Sequence, residues 1–493
     1  MKIGFKSMKC SEVDALVVNL VENNLTTPNE ELNKSVKMIV DRGLFSGKQG
    51  ETYIFTREIN ETLQTVILAG LGKDEDLSLE DFRKVAGSAI KKSVELKLNK
   101  IFLRIPKIKT LEITEIAKAM TYGAILGGYT FDKYKTSKKE TKELEVSIGS
   151  HGASAETIVE IEKAIQEGRE IAEGVIIARD LVNEPSNVIY PETLANEAIK
   201  VSEESGFDIE VLGVEKIKEL KMEAFYEVAK GSDKEPKFII MRYFGNKDNK
   251  EDILGLVGKG LTYDSGGYSI KPTTGMETMK SDMGGAAAVI GAMSIIAKRN
   301  LKINVVAVVA ACENLINGNA YKPGEIIGSM AGKTIEVINT DAEGRLTLAD
   351  AVHYIIANEN ATQVIDVATL TGAALVALGE TTTAVITNNN EFYNELKEVS
   401  EYTGEKVWQL PTNNDYRKLI KSHIADLKNT GGRFAGTITA GLFIEEFVQN
   451  KPWLHLDIAG TSWTSSNSDY GIKGGTGAPV STLYELAKKK QSK

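Results

Sequence analysis

Apolar and polar positions follow two rhythms along this chain. Short apolar runs read as strands, and stretches in which apolar residues return every three or four positions read as helices. In the first part, Ala15–Val21 and Thr65–Leu68 have the strand pattern and Leu79–Ser93 the helical one. Ile158, Ile161, Ile165, Ala172, Val175 and Ile176 then form one apolar stripe. It predicts a single long helix that stops at Asn183-Glu184-Pro185, because proline and the residue before it leave helical geometry. From about residue 190 the two rhythms alternate. Lys237–Met241, Ile253–Val257, Val305–Ala311, Thr334–Ile338 and Val364–Ala368 read as strands, and Gly284–Ala297 and Leu346–Ala357 as helices. This alternation predicts an α/β fold with a mostly parallel sheet covered by helices. Ligands of such sheets sit beyond the carboxyl ends of the strands.

Length changes the picture from one domain to at least two, since 493 residues exceed the roughly 100–200 of a single domain. The first 150 or so residues form one α/β domain, and the long helix is a natural connector. Lysine and arginine number 59 against 68 acids, a net charge of −9. An acidic chain lacks the basic footprint of a nucleic-acid or anionic-membrane binder. Two distant cysteines, Cys10 and Cys312, exclude a disulfide scaffold and a cysteine zinc cluster. His151, His353, His423 and His455 are likewise dispersed, so HExxH-type metal motifs are absent. The early run Ala15–Val18 is broken by Asn19, too short for an export signal, and no segment has the ~18 apolar residues of a spanning helix. The expectation is a cytoplasmic protein. Lys133–Glu145 reads as a solvated loop or edge and Lys488–Lys493 as a frayed end.

Several familiar motifs fail. Gly328–Thr334 has three residues between its glycines where a phosphate loop needs four, and it precedes a strand. No GxSxG elbow is present, and no GxGxxG follows a strand.

The acids are more telling. Lys259 and Asp264 lie five apart on what reads as a glycine-rich turn after an apolar strand. Lys271, Asp282 and, some sixty residues on, Asp341, Glu343 and Arg345 follow. Asp264, Asp282, Asp341 and Glu343 are placed by the pattern at strand-to-helix junctions of one sheet. In an extended segment Asp341 and Glu343 point to the same side. Four converging carboxylates repel one another, and two divalent cations would balance them. Oxygen donors suit hard or borderline ions. Lys259 is a candidate ligand if a metal displaces its proton, while Lys271 and Arg345 stay cationic. Taken singly, each acid reads as a helix cap or turn former, Lys259 as solvated, and Arg345 as a partner of Glu343.

In combination these residues resemble the leucyl aminopeptidases of the M17 family, the cytosol aminopeptidases. Asn339–Leu346 reads NTDAEGRL, the signature octapeptide of that family. Gly258–Gly267 (GKGLTYDSGG), Ser269–Pro272 (SIKP), Asp282–Ala286 (DMGGA) and Ala368–Leu378 (ATLTGAALVAL) match in family order. Ala178–Pro185 (ARDLVNEP) and Leu68–Lys73 (LAGLGK) also look familial, so the likeness spans nearly the whole chain.

The resemblance implies a macrodomain-like α/β domain over 1–153, a connecting helix over 154–185, and a larger catalytic α/β domain over 186–493 with a central mixed, mostly parallel sheet. It implies a homohexamer, a dimer of trimers. It implies two divalent ions per subunit, Mn2+ or Zn2+, with Mg2+ and Co2+ as further candidates. Asp264 and Glu343 match the bridging carboxylates. Lys259 and Asp282 match the other ligands of the tighter site, and Asp341 that of the more exchangeable one. Lys271 and Arg345 match the catalytic pair, with a bicarbonate held at Arg345. Met279, Thr369 and Gly372 match the pocket for the substrate's first side chain, and Leu370 offers backbone contacts. The implied reaction is metal-assisted removal of an N-terminal apolar residue, leucine above all, from peptides. A two-metal phosphoesterase and an aminopeptidase that also binds DNA are the rival readings. Departures from the family pattern are small: Tyr263 stands where phenylalanine is common, and Lys280-Ser281 where Arg-Ala is frequent.

Overall fold

Ala15–Leu20 is buried at all six positions, the mark of a strand covered on both faces. In the computed structural model, which describes residues 1–6, 12–27, 29–137, 143–150 and 152–491, it is a central strand, β2. Its sheet also holds β1 (Lys2–Phe5), β3 (Thr52–Ile59), β4 (Thr62–Gly70), β5 (Lys100–Arg104) and β6 (Glu145–Gly149). The order is β1-β6-β5-β2-β4-β3. All neighbours are parallel except the edge strand β3, which pairs antiparallel with β4. Helices α1 (Glu30–Asp41), α2 (Leu79–Glu95) and α3 (Ile113–Gly127) complete this layer structure. Leu16, Val18 and Leu20 pack with Leu32 and Val36 of α1 in one core. Cys10, His151 and residues 138–142 of the lysine- and glutamate-rich stretch lie outside the described residues. The end of that stretch is no loop: Glu145 opens β6.

The predicted long helix is α4, Ala155–Asn183. The chain divides into two units inside it. One comprises Met1–Glu173 with Ser466–Ile472, the other Gly174–Ser465 with Lys473–Lys493.

The second unit begins with α5 (Pro191–Ser205), β7 (Asp208–Leu212), α6 (Val214–Glu219), α7 (Glu223–Ala229) and β8 (Lys237–Phe244). β9 (Ile253–Asp264), α8 (Gly284–Lys298), β10 (Asn304–Asn314), β11 (Ile326–Ile327), β12 (Ile335–Glu336) and α9 (Gly344–Ala357) follow. Next come β13 (Gln363–Ala368), α10 (Gly372–Leu378), β14 (Thr383–Thr387), α11 (Asn390–Thr403), β15 (Val407–Gln409) and α12 (Asn414–Lys418). β16 (Leu427–Lys428), α13 (Gly436–Glu445), β17 (Trp453–Asp457) and α14 (Val480–Lys490) close the unit. Its eight-stranded sheet has the order β15-β14-β17-β13-β9-β10-β8-β7. The central strands β10, β9, β13 and β17 are mutually parallel. β8 and β7 on one side, and β14 on the other, join antiparallel, so the sheet is mixed around a parallel centre.

Three expectations are corrected here. β9 does not give way to a turn after Val257. It runs on to Asp264 because β10 pairs with it along its length, so Lys259 sits on a strand. Thr334–Ile338 keeps only two residues of strand, β12, and these belong to a separate three-stranded sheet with β11 and β16. The C-terminal lysines are not frayed as far as Lys490: α14 buries Val480, Leu483, Tyr484 and Leu486 and carries the lysines with it. Lys490 Nζ donates to Gln363 Oε1 at 2.7 Å and Glu395 Oε2 at 2.8 Å.

Candidate metal centre

The carboxyl ends of β9 and β10 and the start of α8 set the frame. Helix α8 lies against the sheet closely enough that a Cβ at Gly285 would stand 1.9 Å from the Val367 carbonyl oxygen. Only glycine permits this approach, and it brings Asp282, two residues before the helix, over the strand ends. On β9, Lys259 and Asp264 are an odd number of residues apart, so a regular strand would point them to opposite faces. A bulge corrects this: Leu261 pairs with Cys312 but Tyr263, not Thr262, pairs with Glu313. The extra residue reverses the alternation, and both side chains reach one cluster.

After Asp264 the chain turns through Gly266 and Gly267, at φ +86° and +63°. A side chain at Gly266 would also meet Ser269 O at 2.6 Å and Asp341 Oδ1 at 2.7 Å. This turn is stitched to Asn339–Asp341. Thr340 Oγ1 donates to Gly266 O at 2.7 Å and accepts from Ser269 N at 2.8 Å. The segment holding Asp341 and Glu343 is itself a turn, not the extended stretch expected, and it follows the small sheet rather than the main one. Asp341 N donates to Asn339 Oδ1 at 2.8 Å, which bends the chain. Glu343 takes helical angles (φ −78°, ψ −38°) as α9 begins. The two carboxylates converge by turning, not by alternation.

Lys259 Nζ donates to Asp282 Oδ1 at 2.8 Å and to Thr369 O at 2.9 Å, and lies 2.9 Å from Glu343 Oε1. Lys271 Nζ lies 2.8 Å from Asp264 Oδ2 and 2.6 Å from Asp341 Oδ1. Asp264 Oδ1 accepts from Gly266 N at 2.9 Å and Asn314 Nδ2 at 2.8 Å. Thr369 Oγ1 donates to Asp282 Oδ1 at 2.7 Å. One carboxylate oxygen from each of Asp264, Asp341 and Glu343 lies within 4.8 Å of the other two. Glu343 Oε2 is buried without a hydrogen-bond partner.

Four carboxylates against two ammonium groups leave the cluster short of positive charge, and the acids register it. Burial, with Glu343 and Asp282 adding to it, pushes the Asp264 carboxyl up to about 8. Burial, with Glu343 adding to it and Lys259 opposing, pushes Asp282 up to about 6. Burial and Glu343 raise Asp341 as well. Glu343 goes the other way: burial opposes its charge, but Lys259 and Lys271 outweigh it. Both lysines are held above their ordinary value by these carboxylates in spite of burial. A divalent cation suits this donor set: hard oxygens close together, one of them unsatisfied, with surplus negative charge.

Arg345 does not pair with Glu343. It is buried, its Nε has no hydrogen-bond partner, and burial brings its guanidinium down to about 10. Met279 and Thr369 are half-buried and Gly372 is exposed, with open space where a Cβ would stand. Leu370 N–H is committed to Asp457 Oδ1 at 3.1 Å. Two contributors were not singled out from the sequence. Asn314 holds Asp264, and its Nδ2 also donates to Thr340 O at 3.0 Å. Asp457 anchors the Leu370–Thr371 turn. The signal for Asn314 was a polar pair, Glu313-Asn314, that follows directly on the apolar run Val305–Cys312.

Known proteins share this frame. The profile of the catalytic domain of the cytosol aminopeptidase family matches residues 176–484, and that of the family's N-terminal domain matches residues 17–138. A probable cytosol aminopeptidase of Clostridium perfringens is 57% identical over 485 residues, 98% of each chain. One from Alkaliphilus oremlandii is 44% identical over 497 residues, 99% of each chain. Among solved structures, a tomato leucine aminopeptidase mutant is 33% identical with a TM-score of 0.88, covering 99% of this chain and 96% of that one. The bottromycin maturation enzyme BotP in complex with Mn is 29% identical with a TM-score of 0.87, covering 97% and 100%.

Proposed function

The chain belongs to the cytosol aminopeptidase family and is a metal-dependent aminopeptidase; on that premise we propose a two-metal site that removes apolar residues, leucine above all, from peptide N-termini. The observation that carries this reading is the meeting of Asp264, Asp341 and Glu343 oxygens within 4.8 Å, beside Asp282 and Lys259. Asp264 and Glu343 would bridge two ions, Lys259 and Asp282 would complete one site, and Asp341 the other. Bound divalent ions supply Lewis acidity and a water that ionises near neutral pH.

The two lysines divide by exposure. Lys259 is 3% exposed and Lys271 21%. The buried one suits a ligand. The more open Lys271 suits the substrate, where its ammonium stabilises negative charge developing on the scissile carbonyl oxygen. Arg345, buried with an unpartnered Nε, is the cation that would hold a small anion such as bicarbonate, and that anion when bound would supply general-base capacity beside the cluster. Met279, Thr369, the Leu370 backbone and Gly372 would form the first-residue pocket. The small residues leave room for a branched side chain.

Among the described residues no helix is long and apolar enough to cross a membrane, and the relatives are named for the cytosol. We place the enzyme in the cytoplasm as a homohexamer, with a domain over 1–153, a connecting helix over 154–185 and the catalytic domain over 186–493. Mn2+ and Zn2+ are the favoured ions.

Leucyl, methionyl, aspartyl and N-acetyl-leucyl substrates compared at mildly alkaline pH with Mn2+ or Zn2+ test the reading. A free α-amino group, pKa about 7.7–8.0, is readily neutral there and able to coordinate. Leucyl and methionyl substrates should be cut within about 10–200-fold of each other, and the acetylated one not at all. Efficient cleavage of the acetylated substrate, or preference for aspartyl, would refute it.

A further inference from the structure

The turn that carries Asp341 and Glu343 leaves a strand of only two residues, β12. β12 pairs in parallel with β16, Ile335 with Leu427 and Glu336 with Lys428, and Asn429 N extends the ladder to Glu336 O at 3.0 Å. Beyond that point a side chain takes over the pairing. The Asn429 carboxamide is fully buried. Its Oδ1 accepts from Ile338 N at 2.8 Å and Asn339 N at 3.3 Å. Its Nδ2 donates to Asn339 O at 2.6 Å and, at longer range, to Ala342 O at 3.4 Å.

One amide thus grips the chain before Asp341 and again between Asp341 and Glu343. A carboxamide offers acceptor and donors in one plane, as a peptide group does; a carboxylate lacks the donors and an aliphatic side chain lacks both. The bend takes its shape from Asn339 Oδ1 within the turn, and its place from Asn429, ninety residues on. Asn314, at the end of β10, holds the same turn through Thr340 O, so the turn is tied to both sheets. These ties act against the repulsion that drives close carboxylates apart.

We infer that Asn429 is a positioning residue of the metal centre, acting through the Ile338–Ala342 backbone to hold the Asp341 and Glu343 carboxylates in reach of Asp264. The inference rests on the metal-centre reading proposed above.

Calorimetric titration of the full chain with Mn2+, beside leucyl-substrate turnover, tests it. Asn429→Ala removes all four bonds. Loss of a group that holds a metal ligand in place costs about 10–100-fold in metal affinity. Mn2+ should bind more weakly by about that factor, and turnover lost at low Mn2+ should return as Mn2+ is raised to saturation. Asn429→Asp, nearly the same shape, keeps the acceptor and loses the donors. Its Mn2+ affinity should fall between those of the parent and Asn429→Ala, and it decides the matter if the alanine variant does not fold. Asp426→Ala controls for general loosening of the small sheet. Asp426 is exposed, and its Oδ2 accepts from Thr334 N at 2.8 Å and Thr334 Oγ1 at 2.9 Å, at the other end of the same strands. That variant should melt earlier with Mn2+ affinity unchanged. Parent-like Mn2+ affinity in the Asn429 variants, or equal weakening in Asp426→Ala, overturns the inference. The parent's stoichiometry is a separate readout: one Mn2+ in place of two would refute the two-metal reading, and the weakening in the Asn429 variants would still be expected.

Discussion

Thr371 Oγ1 donates to Asp457 Oδ2 at 2.6 Å, and the other oxygen of that carboxylate accepts from the backbone N–H groups of Leu370, Thr371 and Ala459. Asp457 closes β17, and through these bonds it fixes the turn that begins α10. The same turn presents Thr369 O to Lys259 and Thr369 Oγ1 to Asp282. Asp457 is thus a positioning residue one step from the cluster. Hydrogen bonds to a charged group are worth about 1.5–3 kcal/mol, and ~1.4 kcal/mol is a factor of ten in rate. Asp457→Ala should lower kcat by about tenfold or more while the protein stays folded. Steady-state kinetics beside a melting curve would check it, and an unchanged kcat would contradict the role.

Asp264→Ala and Glu343→Ala should each abolish turnover and lower bound metal, since each is assigned to both ions. Elemental analysis of the purified variants decides. Full metal content with normal turnover in either one would remove that residue from the centre.

The two lysines should separate cleanly. Lys259→Ala should lose metal from one site, whereas Lys271→Ala should keep its metal and lose turnover by about two to three orders of magnitude, the usual effect of deleting a group that stabilises an oxyanion. The opposite pattern of metal loss would mean that the roles are exchanged.

Stability should fall with rising pH through one group outside the cluster. Asp350 is fully buried on α9, where its oxygens accept from Phe225 N and Met330 N at 2.9 and 2.8 Å. Burial outweighs those donors and pushes its carboxyl up to about 7. Below about pH 4 the acid is protonated in folded and unfolded chains alike. Between about 4 and 7 the folded chain keeps a proton that the unfolded chain has released, so each rise in pH favours unfolding. The melting-temperature advantage of the parent over Asp350→Asn should shrink across that interval. An advantage that grows with pH would show that the amide donors hold the anion.

Much of this was legible in the chain. Buried strands announce themselves by apolar runs such as Ala15–Val18 and Val305–Cys312, because both faces are covered. The long helix was bounded by its stripe and by Pro185. The family resemblance has its counterpart in the matched profiles over 17–138 and 176–484. What the pattern hid was set by partners distant in sequence. Lys259–Asp264 looks like a turn because of its glycines, but β10, some fifty residues on, holds it as strand. Thr334–Ile338 looks like a sheet strand, but its partners are the short β11 and β16. The Asn339–Glu343 bend depends on one side-chain acceptor, Asn339 Oδ1, which no periodicity reports. Asp457 gave no signal because a lone acid at a strand end ordinarily caps or turns the chain.

The bulge at Thr262 turns residue counting into a parity rule. Two side chains on one strand meet on the same face if their separation minus the bulges between them is even. Five residues with one bulge satisfies it, and so would four with none. Deleting Thr262 would therefore straighten β9 and still leave Lys259 and the aspartate facing together. Deleting a residue elsewhere in Gly260–Tyr263 while the bulge persists would turn them apart. Length variation in this strand is thus tolerated only in company with a matching change in its ladder.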